Sequence, residues 1–137
     1  MNASVMWDGD VRFKGTSGSA AGITLDGELV AGPRPMELML LGLGGCTSYD
    51  VVGILKKTRQ DVVDCVAEIS AERADAVPAV FTKIHVKFIV SGRGLKEKQV
   101  ERAVKLSAEQ YCSASLMLER GGVEISHSYE IIEVGEA

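Results

Sequence analysis

The segment ELMLLGLGGCTSYDVVGIL, residues 37–55, constrains the fold most, because a helix with this sequence is apolar almost all the way round. It contains four glycines, one cysteine (Cys46) and an acidic residue, Glu37, at its start. A chain of 137 residues has too little core to surround such a helix by itself. We therefore expect a second copy of the chain to cover it, in an obligate homodimer with this helix near the centre.

The composition is that of one globular domain over residues 1–137. The net charge of −4 argues against nucleic acid or an anionic membrane as the main partner. The N-terminal MNASVMWDGD has neither the basic nor the apolar region of a signal peptide. The most apolar run, residues 38–46, is too short to span a bilayer. We expect a cytoplasmic protein without a nucleic-acid partner and without membrane insertion.

The hydrophobic pattern predicts an α+β domain. Residues 1–32 predict a β-meander with turns at Asp8-Gly9 and Asp26-Gly27. A helix over residues 35–59 follows, and then two half-buried antiparallel strands, VVDCVAEISAER and FTKIHVKFIVSG. The period becomes helical over residues 95–120, and VEISHSYEIIEV predicts the last strand.

The three cysteines form neither a disulfide framework nor a metal-ligand pattern. Together with His85 and His127 they give five sulfur or nitrogen ligands, none at metal-ligand spacing, so we expect no metal site. Cys65 lies on the apolar side of its predicted strand and is interpreted as core filler. His127 alternates with apolar residues on the inward side, where a satisfied core histidine is favoured over a catalytic base.

Two segments together resemble the OsmC/Ohr family of organic hydroperoxide reductases. The first is PRPMELMLLGLGGCTSYDVVGIL, with its Pro-x-Glu-Leu opening and a glutamate nine residues before the cysteine; the second is AEQYCSASLMLERGG. Within the family, the resemblance is greatest to the short YhfA-like branch. Three features carry it: the GGC, the aspartate after it, and RQDVVDC. The resemblance implies an α+β OsmC-like fold in which antiparallel sheets pack around two long helices, in an intertwined homodimer.

The resemblance also assigns roles to residues. Cys46 matches the peroxidatic cysteine, Cys112 the resolving cysteine and Glu37 the family's glutamate. The family's arginine from the N-terminal strands is matched to Arg12, with Arg34 as the second choice. The residue after the second cysteine is often proline in the family, and here it is Ser113.

The chemistry implied is reduction of an organic hydroperoxide by a thiolate. A thiol in an apolar helix needs a nearby cation to ionise, because desolvation raises its pKa. The arginine, held by Glu37 in a bidentate pair, would supply that cation. Cys46 would become a sulfenic acid and then a disulfide with Cys112. No bound cofactor is expected; an external dithiol must reduce the disulfide, typically a lipoylated protein in this family.

Apolar side chains near Cys46 indicate an alkyl or lipid hydroperoxide as substrate. The expected walls are Leu38, Met39, Leu41, Leu43 and Met117. The alternative on the same scaffold is a dimeric protein that binds an apolar ligand or senses redox state without efficient turnover, since a fold does not fix a function.

Helix geometry predicts that Glu37 serves the Cys46 of the other subunit. Nine residues at about 100° each leave the two side chains on opposite faces, about 13.5 Å apart along a straight helix. A two-fold axis through the helix pair can bring each Glu37 beside the partner's cysteine. The alternative is a bend of the helix at its glycines, which would close the gap within one subunit.

Overall fold

The computed structural model describes residues 1–18 and 22–135, which divide into two compact units, Met1–Leu41 and Gly42–Ala137. The elements run β1 (Ala3–Trp7), β2 (Arg12–Ser17), β3 (Ile23–Asp26) and α1 (Pro35–Lys57). They continue with β4 (Asp61–Arg73), β5 (Phe81–Arg93), α2 (Glu97–Leu106), a π-helical turn (Ser107–Tyr111), α3 (Ser113–Arg120) and β6 (Glu124–Glu133). The single domain over residues 1–137 stays a prediction.

The first unit carries the predicted meander: an antiparallel sheet of order β1-β2-β3. Gly9 enters the first turn with φ +85°, a conformation that glycine adopts without a steric penalty. At the second turn the Asp26 carboxylate accepts hydrogen bonds from the backbone N–H groups of Glu28 and Ala31. Those bonds lower the pKa of Asp26 and fold the chain toward α1 rather than into a further strand.

Helix α1 has one packed side and one open side. Its buried residues recur at helical steps and comprise Leu43, Gly44, Thr47, Val51 and Leu55. A Cβ at Gly44 would lie 2.7 Å from Cδ1 of Ile69 on β4, so glycine is what allows this close approach of helix and sheet. On the other side Tyr49 is 82% exposed. The predicted helix is confirmed, and it ends two residues earlier than expected, at Lys57.

By length and composition alone α1 could cross a membrane, and only 28% of its most apolar window is buried. These criteria are met by the whole helix and not by the apolar run 38–46, which remains too short to span a bilayer. The core helix of a water-soluble protein meets the same criteria, so they are weak support for insertion. The cytoplasmic location and the lack of membrane insertion stay predictions.

The second unit contains a sheet of order β4-β5-β6. Strands β4 and β5 pair antiparallel, as predicted. Strand β6 pairs parallel to β5, which corrects the expectation of wholly antiparallel sheets. The connection between them is a crossover through α2 and α3, and such a crossover returns the chain in the same direction. The core lies over β5, with the fully buried residues Phe88, Val86, Val90, Leu43, Leu55 and Val100.

The second predicted long helix is interrupted. The chain is α-helical over Glu97–Leu106, widens into the π-helical turn Ser107–Tyr111, and resumes as α3 at Ser113. The N–H of Cys112 donates to the carbonyl of Ser107 at 2.8 Å, five residues back, which is the π-helical bond. Cys112 itself is extended, with ψ 102°. A periodicity over residues 95–120 could not show a one-residue widening of this kind.

Candidate functional site

Three side chains of the second unit meet at one place: Cys46, Asp50 and Cys112. Their sulfur and carboxylate oxygen atoms all lie within 4.8 Å of one another. Cys46 and Asp50 are half-buried and Cys112 is fully buried. The structure thus brings together the two cysteines that the resemblance pairs, and adds a carboxylate.

Helix α1 presents Cys46 and Asp50 on one face because residues four apart on an α-helix are neighbours. That face lies between the buried stripe and the open side of the helix. Thr47, next to Cys46, is fully buried and donates to the carbonyl of Leu43 at 3.1 Å, which satisfies its hydroxyl without leaving the helix. Cys46 is therefore at the border between the core and an uncovered surface.

The break after the π-helical turn positions Cys112. As the N-cap residue of α3, its sulfur accepts a hydrogen bond from the backbone N–H of Ser115 at 3.4 Å. Ser113 occupies the first position of α3, where proline is favoured in helices generally. The break that a proline would enforce is therefore present with serine in its place.

A serine from the π-helical turn holds the carboxylate of the cluster. Ser107 Oγ donates to Asp50 Oδ2 at 3.1 Å and lies 3.4 Å from the carbonyl oxygen of Thr47. Ser107 is 1% exposed, so the donor of this part-buried hydrogen bond is shielded from water. The π-helical turn therefore contributes at both of its ends: Ser107 orients Asp50, and Cys112 follows directly.

The surroundings of Cys112 disfavour its ionisation. Burial, followed by the neighbouring Cys46 side chain and the charge of Asp50, raises the pKa of Cys112 to about 12. The Ser115 N–H acts in the opposite direction, because it stabilises a thiolate. Cys112 therefore stays a thiol at neutral pH.

Glu37, Arg12 and Arg34 belong to the first unit. The Glu37 carboxylate accepts a hydrogen bond from the backbone N–H of Arg34 at 3.0 Å, a cap at the start of α1. Arg12 lies 3.7 Å from the Asp10 carboxylate, and Arg34 Nε donates to the carbonyl of Gly27. Among the described residues no ion pair joins Glu37 to either arginine, so the bidentate pair is not formed within the single chain. The catalytic roles of Glu37 and Arg12 stay predictions.

The two residues predicted to be structural are both half-buried. Cys65 lies on the inner face of β4, where burial and then the charge of Asp64 raise its pKa. His127 stacks on Phe88, with ring centroids 6.4 Å apart and planes within 6°. Its buried Nε2 has no hydrogen-bond partner in the part of the chain that the structure describes. The expectation of a core histidine therefore holds for its packing, but the expected hydrogen bond to Nε2 is absent among these residues. Burial lowers the pKa of His127.

The predicted apolar walls are only partly available to a ligand. Met39, Leu41 and Met117 are 44–67% exposed, whereas Leu43 is fully buried in the core and cannot line a substrate site. Asp50 also lines a cleft of about 990 Å³ beside the second half of α1. That cleft combines apolar and cationic side chains: Tyr49, Val52, Ile54, Lys56, Lys57, Arg102, Leu106 and Tyr111.

Sequence profiles decide the family. The profile described as OsmC-like protein matches residues 26–128 of the chain. The chain belongs to the OsmC-like family. The resemblance found in the cysteine segments and the α+β fold class are thereby confirmed.

Individual proteins are similar to this chain over nearly its whole length. Protein YhfA of Escherichia coli strain K12 is 50% identical over 133 residues, which cover 96% of this chain and 98% of YhfA. The crystal structure of a hypothetical protein from Aquifex aeolicus VF5 has a TM-score of 0.89 at 30% identity, over 98% of this chain and 97% of that one. The organic hydroperoxide resistance protein OhrB of Bacillus subtilis shares the fold, with a TM-score of 0.62 at 18% identity, over 95% of this chain and 98% of OhrB.

Sequence reasoning missed Asp50 and Ser107 as parts of the site. Asp50 carried a signal, because it lies one helical turn after Cys46 on the same face. Ser107 carried none: its contact with Asp50 joins residues 57 positions apart through the π-helical turn.

Proposed function

We propose that this protein reduces organic hydroperoxides with the thiol of Cys46 and forms a Cys46–Cys112 disulfide. The observation that carries the proposal is the proximity of the two thiols, within 4.8 Å, on separate elements of the second unit. The chain also belongs to the OsmC-like family, and one of its structural neighbours is named an organic hydroperoxide resistance protein. Both facts support the same chemistry.

The first step is attack of the Cys46 thiolate on the terminal oxygen of R–O–OH. The O–O bond breaks, the alkoxide takes a proton and leaves as the alcohol, and Cys46 becomes a sulfenic acid. In the second step the sulfur of Cys112 attacks the sulfenic sulfur of Cys46: the S–S bond forms, the S–O bond breaks, and the sulfenic hydroxyl leaves as water with the proton of the Cys112 thiol. Its sulfur must close from within 4.8 Å to about 2.05 Å to form the bond.

The third step returns the enzyme to its reduced form. An external dithiol, for which a lipoyl group is our candidate, attacks the disulfide and leaves as a cyclic disulfide. The net reaction converts one hydroperoxide and one dithiol to an alcohol, water and one disulfide. Arg12, assisted by Glu37, is proposed to favour the Cys46 thiolate.

The cleft beside α1 supports an organic rather than an inorganic peroxide. Its wall reaches the site through Asp50, and its apolar side chains suit an alkyl chain. We therefore expect alkyl or lipid hydroperoxides to be better substrates than hydrogen peroxide.

The test is multiple turnover. Reduced protein is mixed with excess cumene hydroperoxide and dihydrolipoamide, and peroxide is followed with time. Peroxide loss far beyond one equivalent per chain is the expected result. Loss that stops at one equivalent contradicts the enzyme and favours the alternative, a redox-sensing or ligand-binding protein.

We propose further that the protein acts as a homodimer, because each unit leaves apolar surface uncovered. In the first unit Met6 and Trp7 on β1 are 67% and 71% exposed. In the second unit a Cβ at Gly45 would meet no atom of the described residues within 4 Å. A second copy covering both surfaces would resemble an obligate interface.

Substitution of Gly45 tests this assembly. Without a partner, Gly45→Leu would stabilise α1 by about 1 kcal/mol, because glycine is a poor helix former. A covering subunit predicts the opposite sign, since overpacking costs about 1–3 kcal/mol. Sedimentation should therefore show a dimer that dissociates in Gly45→Leu, and less so in Gly45→Ala. A wild-type protein that is monomeric and folded at micromolar concentration contradicts the proposal.

A further inference from the structure

We propose that the reduced Cys46–Asp50–Cys112 cluster binds a thiophilic divalent cation, of which Zn²⁺ is the representative. The proposal does not rest on the peroxidase activity, since it concerns only the reduced protein. It revises the expectation of no metal site, which considered the spacing of cysteines and histidines and left carboxylates out.

The geometry of the donors fits a tetrahedral ion. Zn²⁺ takes thiolate sulfur at about 2.3 Å and carboxylate oxygen at about 2.0–2.2 Å. Two sulfurs and one oxygen at those distances are separated from one another by about 3.5–3.8 Å at the tetrahedral angle. The three donor atoms here already lie within 4.8 Å of one another, so small side-chain rotations close the set.

The supporting hydrogen bonds are those that metal ligands usually have. Ser107 Oγ donates to the Asp50 carboxylate at 3.1 Å, which orients it. The N–H of Ser115 donates to Cys112 Sγ at 3.4 Å, which favours a thiolate there. Hydrogen bonds of this kind to the ligands fix their orientation and tune metal affinity.

The charge balance points the same way. Asp50 takes part in none of the ion pairs formed by the described residues, although it lies beside two groups that become anionic when they ionise. A divalent cation would offset two of the three negative charges of a carboxylate and two thiolates, which otherwise repel one another. Binding would release the two thiol protons to solvent, so affinity should rise with pH.

Three protein ligands leave a fourth position for water or another small ligand. That position lies on the half-buried side of the cluster, because Cys46 and Asp50 are both partly exposed and Cys112 is not. The ion would also coordinate both sulfurs as thiolates, and its binding would therefore compete with oxidation of these sulfurs.

Cobalt(II) titration of the reduced protein, without peroxide and without oxygen, tests the site. Co²⁺ reports thiolate ligands through sulfur-to-metal charge-transfer absorption, and Zn²⁺ should displace it. The expected result is one ion per chain with this absorption. Asp50→Asn, which keeps the size of the side chain, and Cys112→Ser should each weaken binding by about tenfold or more. Cys65→Ser, the matched control, should bind as the wild type does.

Two results would overturn the proposal. One is wild-type protein that gives no thiolate absorption with Co²⁺. The other is unchanged affinity in both Asp50→Asn and Cys112→Ser. The assay also separates the two proposals: a protein that binds Co²⁺ in this way and shows no peroxide turnover contradicts the enzyme and supports the metal site.

Discussion

Cys112 and Cys65 are two thiols of the same unit with very different neighbours. Burial raises the pKa of both. Cys112 lies at a helix break beside a second thiol, a carboxylate and a donating backbone N–H. Cys65 lies on β4, with its backbone paired opposite Val90 and no hydrogen bond to its sulfur among the described residues. Burial alone therefore does not distinguish the two thiols; the surrounding groups do.

The largest contrast is expected from removing the nucleophile. Cys46→Ser should reduce turnover of cumene hydroperoxide to the uncatalysed rate, because a serine hydroxyl does not attack a peroxide oxygen. Cys65→Ser should leave the steady-state rate essentially unchanged, since that sulfur has no part in the chemistry. Turnover that survives in Cys46→Ser, or is lost in Cys65→Ser, would contradict this difference in role between the two cysteines.

A smaller effect is expected from removing the resolving thiol. Cys112→Ser should still consume one peroxide per chain and then stop, because the sulfenic acid at Cys46 has no partner thiol nearby. Mass spectrometry of the trapped protein should show Cys46 oxidised and Cys65 unmodified. Full multiple turnover in this variant would show that the external dithiol reduces the sulfenic acid directly.

The smallest effect concerns stability at high pH. The folded protein holds the proton of Cys112 up to about pH 12, whereas the unfolded chain releases it near pH 9. This contribution to stability is therefore complete below pH 9 and is lost as the pH rises toward 12. Urea unfolding of the reduced protein should show a stability that falls over this range, and Cys112→Ser should reduce the fall more than Cys65→Ser. An equal reduction by both variants would remove the distinction between the two thiols.

Local patterns predicted most of the fold. The alternation along β5 identified its buried face, the alternation along β4 identified its half-buried face from Cys65 onward, and the residues Asp8-Gly9 predicted the first turn. The parallel pairing of β6 was not predictable, because alternation shows which face is buried and not the direction of the neighbouring strand. The π-helical turn was missed because a single widened turn keeps the three- and four-residue period on either side of it.

The residues of the site also differ in how far the sequence could predict them. Cys46 and Cys112 came from a motif, and the structure shows that their sulfurs are neighbours. Helix periodicity is sufficient to place Asp50 beside Cys46, but the site predicted from the sequence did not include it. Ser107 required the tertiary contact between the π-helical turn and α1. Glu37 and Arg12 came from the resemblance, and the single chain gives each another partner: the backbone of Arg34 and the carboxylate of Asp10.

The most direct test of the central claim is to identify which cysteines pair on oxidation. Reduced protein is treated with one equivalent of cumene hydroperoxide, free thiols are blocked, and the disulfide-linked peptides are mapped. We expect an intramolecular Cys46–Cys112 disulfide with Cys65 recovered as a blocked free thiol. A disulfide that contains Cys65, or bonds only between subunits, would contradict the account.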